Sequence, residues 1–201
     1  AVSYPVSSMM IIGLIAILLG ISPSIEDPSV TIGSGAALKM ALAGFSNSAV
    51  ALVAGALFIA VAMQVTNLHK RIALLILSKV GSKTKNIVIG AILVSFILAL
   101  FVPSATARGG ALVPILLGMV AAFGMAKTSK LGALLIITAA QSISIWNVGI
   151  KTAAAQNMVA LGFIEETLGE TISWGQWFLY AAPWSIIMSI ALYFIMLKVI
   201  P

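Results

Sequence analysis

The chain has no cysteine, a single histidine and only 5 acidic residues among 201. Without cysteine there is neither a disulfide framework nor a thiolate metal site. His69 alone cannot build a histidine-ligated metal centre. Hydrolysis within a membrane needs a Ser–His pair, paired aspartates or a histidine-rich metal site. The one aspartate, Asp27, has no partner, and Ser104 has no base in sight. The reading is of a protein without catalytic or metal-ligating residues. Charge is scarce as well, at 8% of residues, whereas hydrophobic residues make up 61%. Several apolar runs reach the ~20 residues that a bilayer-spanning helix needs, and the short alternating segments of an outer-membrane barrel are absent. The fold expected is an all-α integral membrane protein. The net charge of +6 is no nucleic-acid footprint, because the cations gather in short loops, where they set topology.

What is present orders itself by charge. Residues 6–21 form a first apolar run, followed by a turn-rich acidic exit with Pro23, Glu26, Asp27 and Pro28. Residues 30–43 read as a short interfacial helix or loop, and residues 45–65 as a span opened by Ser46 and Asn47 as caps. Residues 67–85 carry Lys70, Arg71, Lys79, Lys83 and Lys85 and no acid, which marks the cytoplasmic side. Their apolar positions Ile72, Leu75, Ile76 and Leu77 suggest a helix lying along the interface. Glu165, Glu166 and Glu170 read as an acidic external loop, and Trp174, Trp177 and Tyr180 as an interfacial belt before a last span over 178–200.

Two stretches break the apolar pattern. At Phe101-Val-Pro-Ser-Ala-Thr-Ala-Arg-Gly-Gly-Ala-Leu-Val-Pro114, Pro103 stops the arriving helix and Ser104 and Thr106 offer caps for a new one. Arg108 sets a full charge deep in apolar context. The flanking arms, 86–102 and 111–125, are marginal for crossing at about 25 Å each. Both end on basic loops, which suits a re-entrant hairpin over 86–126 but also two short spans joined by an exposed turn. Likewise Arg108 either faces a cavity or snorkels to headgroups from that turn. The second stretch is the apolar run 131–164, crowded in its second half by Gln141, Ser142, Ser144, Asn147, Gly149, Lys151, Thr152, Gln156 and Asn157. Polar residues at membrane depth usually face a cavity, and a discontinuous helix supplies ligands in secondary transporters. The alternative is a span ending near Ser144 with an exposed amphipathic helix beyond it. The chain then divides into scaffold spans with an external loop (1–66), a cytoplasmic interfacial helix (67–85), the hairpin (86–126), the discontinuous span (131–164) and a final span (172–201).

These marks resemble the divalent anion/sodium symporter family of dicarboxylate, citrate and sulfate carriers. The resemblance rests on Gly44-Phe-Ser-Asn47, on Pro103-Ser-Ala-Thr-Ala-Arg108-Gly109, on Thr152 with Asn157, and on Ile172-Ser-Trp-Gly175. It covers essentially the whole chain and corresponds to the first half of such a transporter. It implies half of an inverted-repeat, elevator-type transporter that works as a dimer, with a hairpin tip binding the substrate's carboxylates and sodium ions beside it in the symporters. Carried over, the substrate-binding positions are Ser104, Ala105 and Thr106, with Arg108 beside them. Asn147, Gly149, Thr152 and Asn157 would line the ion or substrate site. No cofactor is implied, save sodium as a possible coupling ion.

Two departures bear on mechanism. Ala105 stands where the family motif has asparagine, which removes an amide able to bind both carboxylate and sodium. Hydroxyls and helix-start N–H groups can still hold an anion. No second hairpin exists in 201 residues, and the chain opens on Ala1, so a fragment of a longer chain is expected, or else a half-size subunit that pairs with another. A dicarboxylate's charge must be offset on leaving water. A fixed Arg108 can do this where bound sodium otherwise would, and an empty site with an unpaired buried arginine is costly to move. The sequence thus leans to anion exchange in a bacterial inner membrane, with sodium-coupled symport or a non-transporting subunit as alternatives. The partners expected are a small dicarboxylate, lipid, a second half or subunit and a second copy, and no nucleic acid.

Overall fold

A computed structural model describes residues 4–25, 27–43 and 48–200. Glu26 and the Gly44-Phe-Ser-Asn47 motif, including Ser46 and Asn47 read as caps, lie outside the described residues. The protein is an all-α membrane protein. Among the described residues there is no strand, only one isolated antiparallel bridge between Pro23 and Thr31.

Residues 1–51 form one compact unit. In it α1 (Tyr4–Gly20) packs against α2 (Ser34–Ala43), the helical outcome of the two left open for residues 30–43. The turn between them is held locally. The Ser29 hydroxyl and backbone N–H both donate to Asp27 Oδ1, at 2.6 and 3.0 Å. These bonds hold the Asp27 carboxyl below the usual carboxylate range.

Residues 52–201 form the second unit, and it holds every position of the candidate site. It takes most of α3 (Ser48–Val65), then α4 (Leu68–Val80), α5 (Thr84–Phe101), α6 (Ala105–Ala122), α7 (Lys130–Gly149), a 3₁₀ turn (Lys151–Ala153), α8 (Ala155–Leu168) and α9 (Trp174–Val199). Four of these, α5, α6, α7 and α9, are long and apolar enough to cross a membrane. Between α3 and α4 Asn67 takes a left-handed conformation at φ 52°. Just beyond it, buried His69 donates from Nδ1 to the Met63 carbonyl at 2.8 Å, satisfying one of the orphan acceptors at the end of α3. In α4, Ala73 and Leu77 are buried while Lys70, Arg71 and Lys79 stay exposed. Gly90 of α5 permits this packing. A Cβ there would lie 2.8 Å from Val80 Cγ2 and 2.9 Å from Leu77 Cδ2.

The helix α7 is the hub, packing on α5, α6 and α9. Its Leu134, Leu135 and Ala139 meet Val94 and Leu98 of α5, Leu112 and Leu116 of α6, and Leu192 and Met196 of α9 in one core. In a bilayer such packing rests on close van der Waals fit rather than on expulsion of water. The glycine at the end of α7 shows how close that fit is. A Cβ on Gly149 would stand 2.6 Å from Ser185 Oγ and 2.9 Å from Ser185 Cβ of α9. At the same crossing Ser185 donates its hydroxyl to the Ile145 carbonyl at 3.0 Å.

Element limits differ from the sequence reading in three places. The arms α5 and α6 are 18 residues each rather than 15–17. The gain on the second arm comes from Ser104, whose cap starts α6 at Ala105 and makes Arg108, Gly109 and Gly110 helical. Glu165 and Glu166 belong to α8, which runs on until Gly169 closes it in the left-handed conformation at φ 68°. Finally, α9 begins at Trp174, because Ser173 and Gln176 form a reciprocal capping box. Inside α6, Pro114 leaves the carbonyl of Gly110 without its helical donor.

Candidate functional site

The hairpin tip is only three residues long. Helix α5 ends at Phe101, residues 102–104 are extended, and α6 starts at Ala105. Pro103 explains the stop, since it cannot donate and disfavours helix in the residue before it. Ser104 explains the restart. It sits in the β region at φ −144° and ψ 116°, and its hydroxyl oxygen accepts the Ala107 N–H at 3.3 Å. The Ser104 hydroxyl therefore serves as a cap, while Ala105 is half-buried and Thr106 exposed.

One turn further on lies Arg108, 1% exposed and the largest of the fully buried side chains. The guanidinium does not reach the surface, so it does not snorkel from an exposed turn. Its Nη2 donates to the Asn147 side-chain oxygen and, at 3.2 Å, to the Ala153 carbonyl. A longer contact of 3.5 Å joins Nε to the Ser104 carbonyl. Nη1 has no partner among the described residues. No carboxylate among them pairs with this cation. Burying a lone charge costs several kcal/mol even after relaxation, and neutral acceptors offset that only in part.

The acceptors come from the break after α7. The helix ends at Gly149, Ile150 is extended, and the chain makes a single 3₁₀ turn before α8 starts at Ala155. A break of this kind frees carbonyls that need donors. Asn157 supplies them. Its amide Nδ2 donates to the carbonyls of Asn147 at 2.6 Å, Ile150 at 3.0 Å and Lys151 at 3.4 Å. Behind the break, Trp177 Nε1 donates to the Val148 carbonyl at 2.9 Å, and Lys151 Nζ donates to the Ile172 carbonyl.

Between tip and break lies a cavity of about 100 Å³, lined by Ala56, Leu57, Pro103, Thr152, Ala154, Ala155 and Met158. The start of α8 at Ala154 and Ala155 forms one side of it, and Pro103 of the tip another. Helix N-termini carry unsatisfied N–H groups and a partial positive charge of about +0.5, which suits an anion. Only Thr152 brings a side-chain hydroxyl to this lining. Arg108 stands behind it, bonded to the carbonyl of Ala153.

The structure thus gathers Ser104, Arg108, Asn147, Thr152 and Asn157 around the junction of tip and break. Gly149 abuts Ser185 of α9, and Thr106 is exposed. Sequence reasoning missed Ala153, Ala154, Ala155 and the α3 pair Ala56 and Leu57. These act through backbone or shape, and alanine in an apolar run carries no chemical signal. No cluster of histidine, cysteine or acidic residues able to hold a metal ion occurs among the described residues.

The family description "Sodium:sulfate symporter transmembrane region" matches residues 1–201. A membrane protein of Cupriavidus necator is 55% identical over all of this chain, which covers 39% of that protein. The citrate/succinate antiporter of Escherichia coli K12 is 32% identical over 94% of the chain and 40% of its own length. The L-tartrate/succinate antiporter of the same strain is 29% identical over 75% of the chain and 32% of its own length. The chain therefore spans about 40% or less of the curated relatives it matches.

Proposed function

The chain belongs to the sodium:sulfate symporter transmembrane family, integral to bacterial inner membranes, and from that premise we propose that it forms half the binding site of a carrier exchanging di- or tricarboxylates. The observation that carries this reading is Arg108, buried and bonded only to neutral acceptors among the described residues, one of them the Ala153 carbonyl between Thr152 and Ala154, which line a cavity with Pro103 of the tip. The N–H groups at the start of α8 and the Thr152 hydroxyl are donors suited to an anion. The two matched antiporters of Escherichia coli, named for citrate/succinate and L-tartrate/succinate exchange, support the choice of carboxylates and of exchange.

In mechanism, a carboxylate of the substrate enters between the tip at Pro103 and the start of α8, meeting helix N–H groups and the Thr152 hydroxyl. Arg108 supplies the fixed positive charge behind them. Loaded, the site is near neutral and its desolvation is offset. Empty, it retains a charge that only neutral acceptors satisfy, and moving it across the membrane is unfavourable. Return without cargo is slow, so transport is exchange. In this reading α5 and α6 form a re-entrant hairpin with both ends on the basic, cytoplasmic side, α4 lies along the interface, and α7 with α8 is the discontinuous span. Residues 1–66 serve as scaffold and 172–201 as the closing span. An equivalent half-site from further chain or another subunit completes the cavity, within an inverted-repeat dimer.

The test is reconstitution of the full-length protein in liposomes without sodium, with labelled succinate outside. Uptake only when unlabelled dicarboxylate is trapped inside, lost in Arg108→Ala at unchanged expression and helicity, is the expected result. Uptake that needs a sodium gradient, or that survives Arg108→Ala, overturns it. The family description names sodium, and sodium-coupled symport is the second reading that such a result would establish.

A further inference from the structure

We propose that Asn147 is a stand-in for the substrate: its side-chain oxygen holds the Arg108 guanidinium in the empty site, and the entering carboxylate displaces it. This rests on the reading of Arg108 given above and adds a residue to it. Asn147 is half-buried in the last turn of α7, while Arg108 lies in the first turn of α6. The bond between them is a side-chain contact linking the hairpin to the broken helix. A neutral amide oxygen is a weaker acceptor for a guanidinium than a carboxylate, which brings the opposite charge and can accept two parallel N–H bonds. It therefore quiets the buried cation without neutralising it.

The surroundings support this. Among the described residues Arg108 Nη1 has no partner, while Nη2 donates to Asn147 and to the Ala153 carbonyl, so the fork has a donor free for a carboxylate and a second that Asn147 would release. The Asn147 backbone is fixed independently, through its carbonyl and the Asn157 amide at 2.6 Å. Its side chain can leave Arg108 while the break keeps its shape. Binding then has a local consequence, because release of Asn147 removes one tie between the hairpin tip and α7.

Charge substitution separates this from a purely structural contact. Asn147→Asp installs a permanent carboxylate on Arg108. It should raise the Tm of the substrate-free protein, and raise the KM for succinate in exchange by about tenfold or more (~1.4 kcal/mol per tenfold). Asn147→Ala removes the competitor and should lower KM, although the free protein becomes less stable. A structural contact predicts the reverse for transport: Asn147→Asp tolerated and Asn147→Ala impaired. No rise in substrate-free Tm for Asn147→Asp overturns the contact. A rise with an unchanged KM overturns the displacement. Absence of exchange in the unsubstituted protein overturns the proposed function, and the competition with it. The substrate-free Tm distinguishes that case from failure of the contact.

Discussion

Replacing Gly149 by alanine tests whether the break in α7 is set by its packing on α9. The added Cβ would lie 2.6 Å from Ser185 Oγ and 2.9 Å from both Ser185 Cβ and Trp146 Cε3. The Ser185 Cβ is fixed by its backbone, so the helices must part or the residues at the crossing must shift. Overpacking of this kind costs about 1–3 kcal/mol. Displacing the Ser185 hydroxyl from the Ile145 carbonyl adds about 0.5–1.5 kcal/mol. Alanine's better helix propensity returns up to ~1 kcal/mol, less at a helix end. The net is about 1–3 kcal/mol of destabilisation. At about 2–4 °C per kcal/mol for a chain of this size, Tm should fall by roughly 2–12 °C. Intrinsic fluorescence is a suitable assay, because Trp146 sits at the contact. Ser185→Gly removes both of the Ser185 atoms that the Cβ meets, so the double substitution should be less damaging than the sum of the singles, with a coupling of about 0.5–3 kcal/mol. A neutral Gly149→Ala, or strict additivity with Ser185→Gly, refutes the argument.

Asn157→Ala should lower stability by about 1–3 kcal/mol, because carbonyls of the break lose their donor. Asn157→Asp should be worse, with an acceptor facing acceptors; equal Tm values for the two variants would show that the amide is not the determinant. The Asp27 carboxyl is held low by Ser29, so its bonds are present at neutral pH and vanish as pH falls through its depressed pKa. Titration of that carboxyl by NMR should give a midpoint below the usual carboxylate range, returning toward it in Ser29→Ala.

Membrane class and the two interruptions were legible because they rest on residue types that conflict with an apolar run. Pro103 with Ser104 marked a stop and a restart, and the crowding of Asn147, Thr152 and Asn157 marked a helix that could not stay continuous. The start of α6 was less visible. Gly109-Gly110 reads as loop by propensity, and it is helical because the Ser104 cap starts α6 at Ala105. Gly149 was picked out among polar neighbours as part of a cavity wall, whereas its role is to admit a helix more than thirty residues on. The share of α8 in the site was hidden for a related reason. It comes from the backbone at Ala154 and Ala155, and nothing in an alanine pair announces a helix start.

Pro114 gives the tip a mechanical property of its own. Arg108 lies six residues before it, about 9 Å along the axis at 1.5 Å per residue. A change of about 20° in bend, the scale at which proline kinks become sharp, swings the arginine through roughly 3 Å. That is the length of one hydrogen bond. The missing donor at the Gly110 carbonyl makes such bending cheaper here than elsewhere in the helix. The first two turns of α6 thus form a short lever on Pro114, and a bend there would carry buried Leu112 along with the arginine.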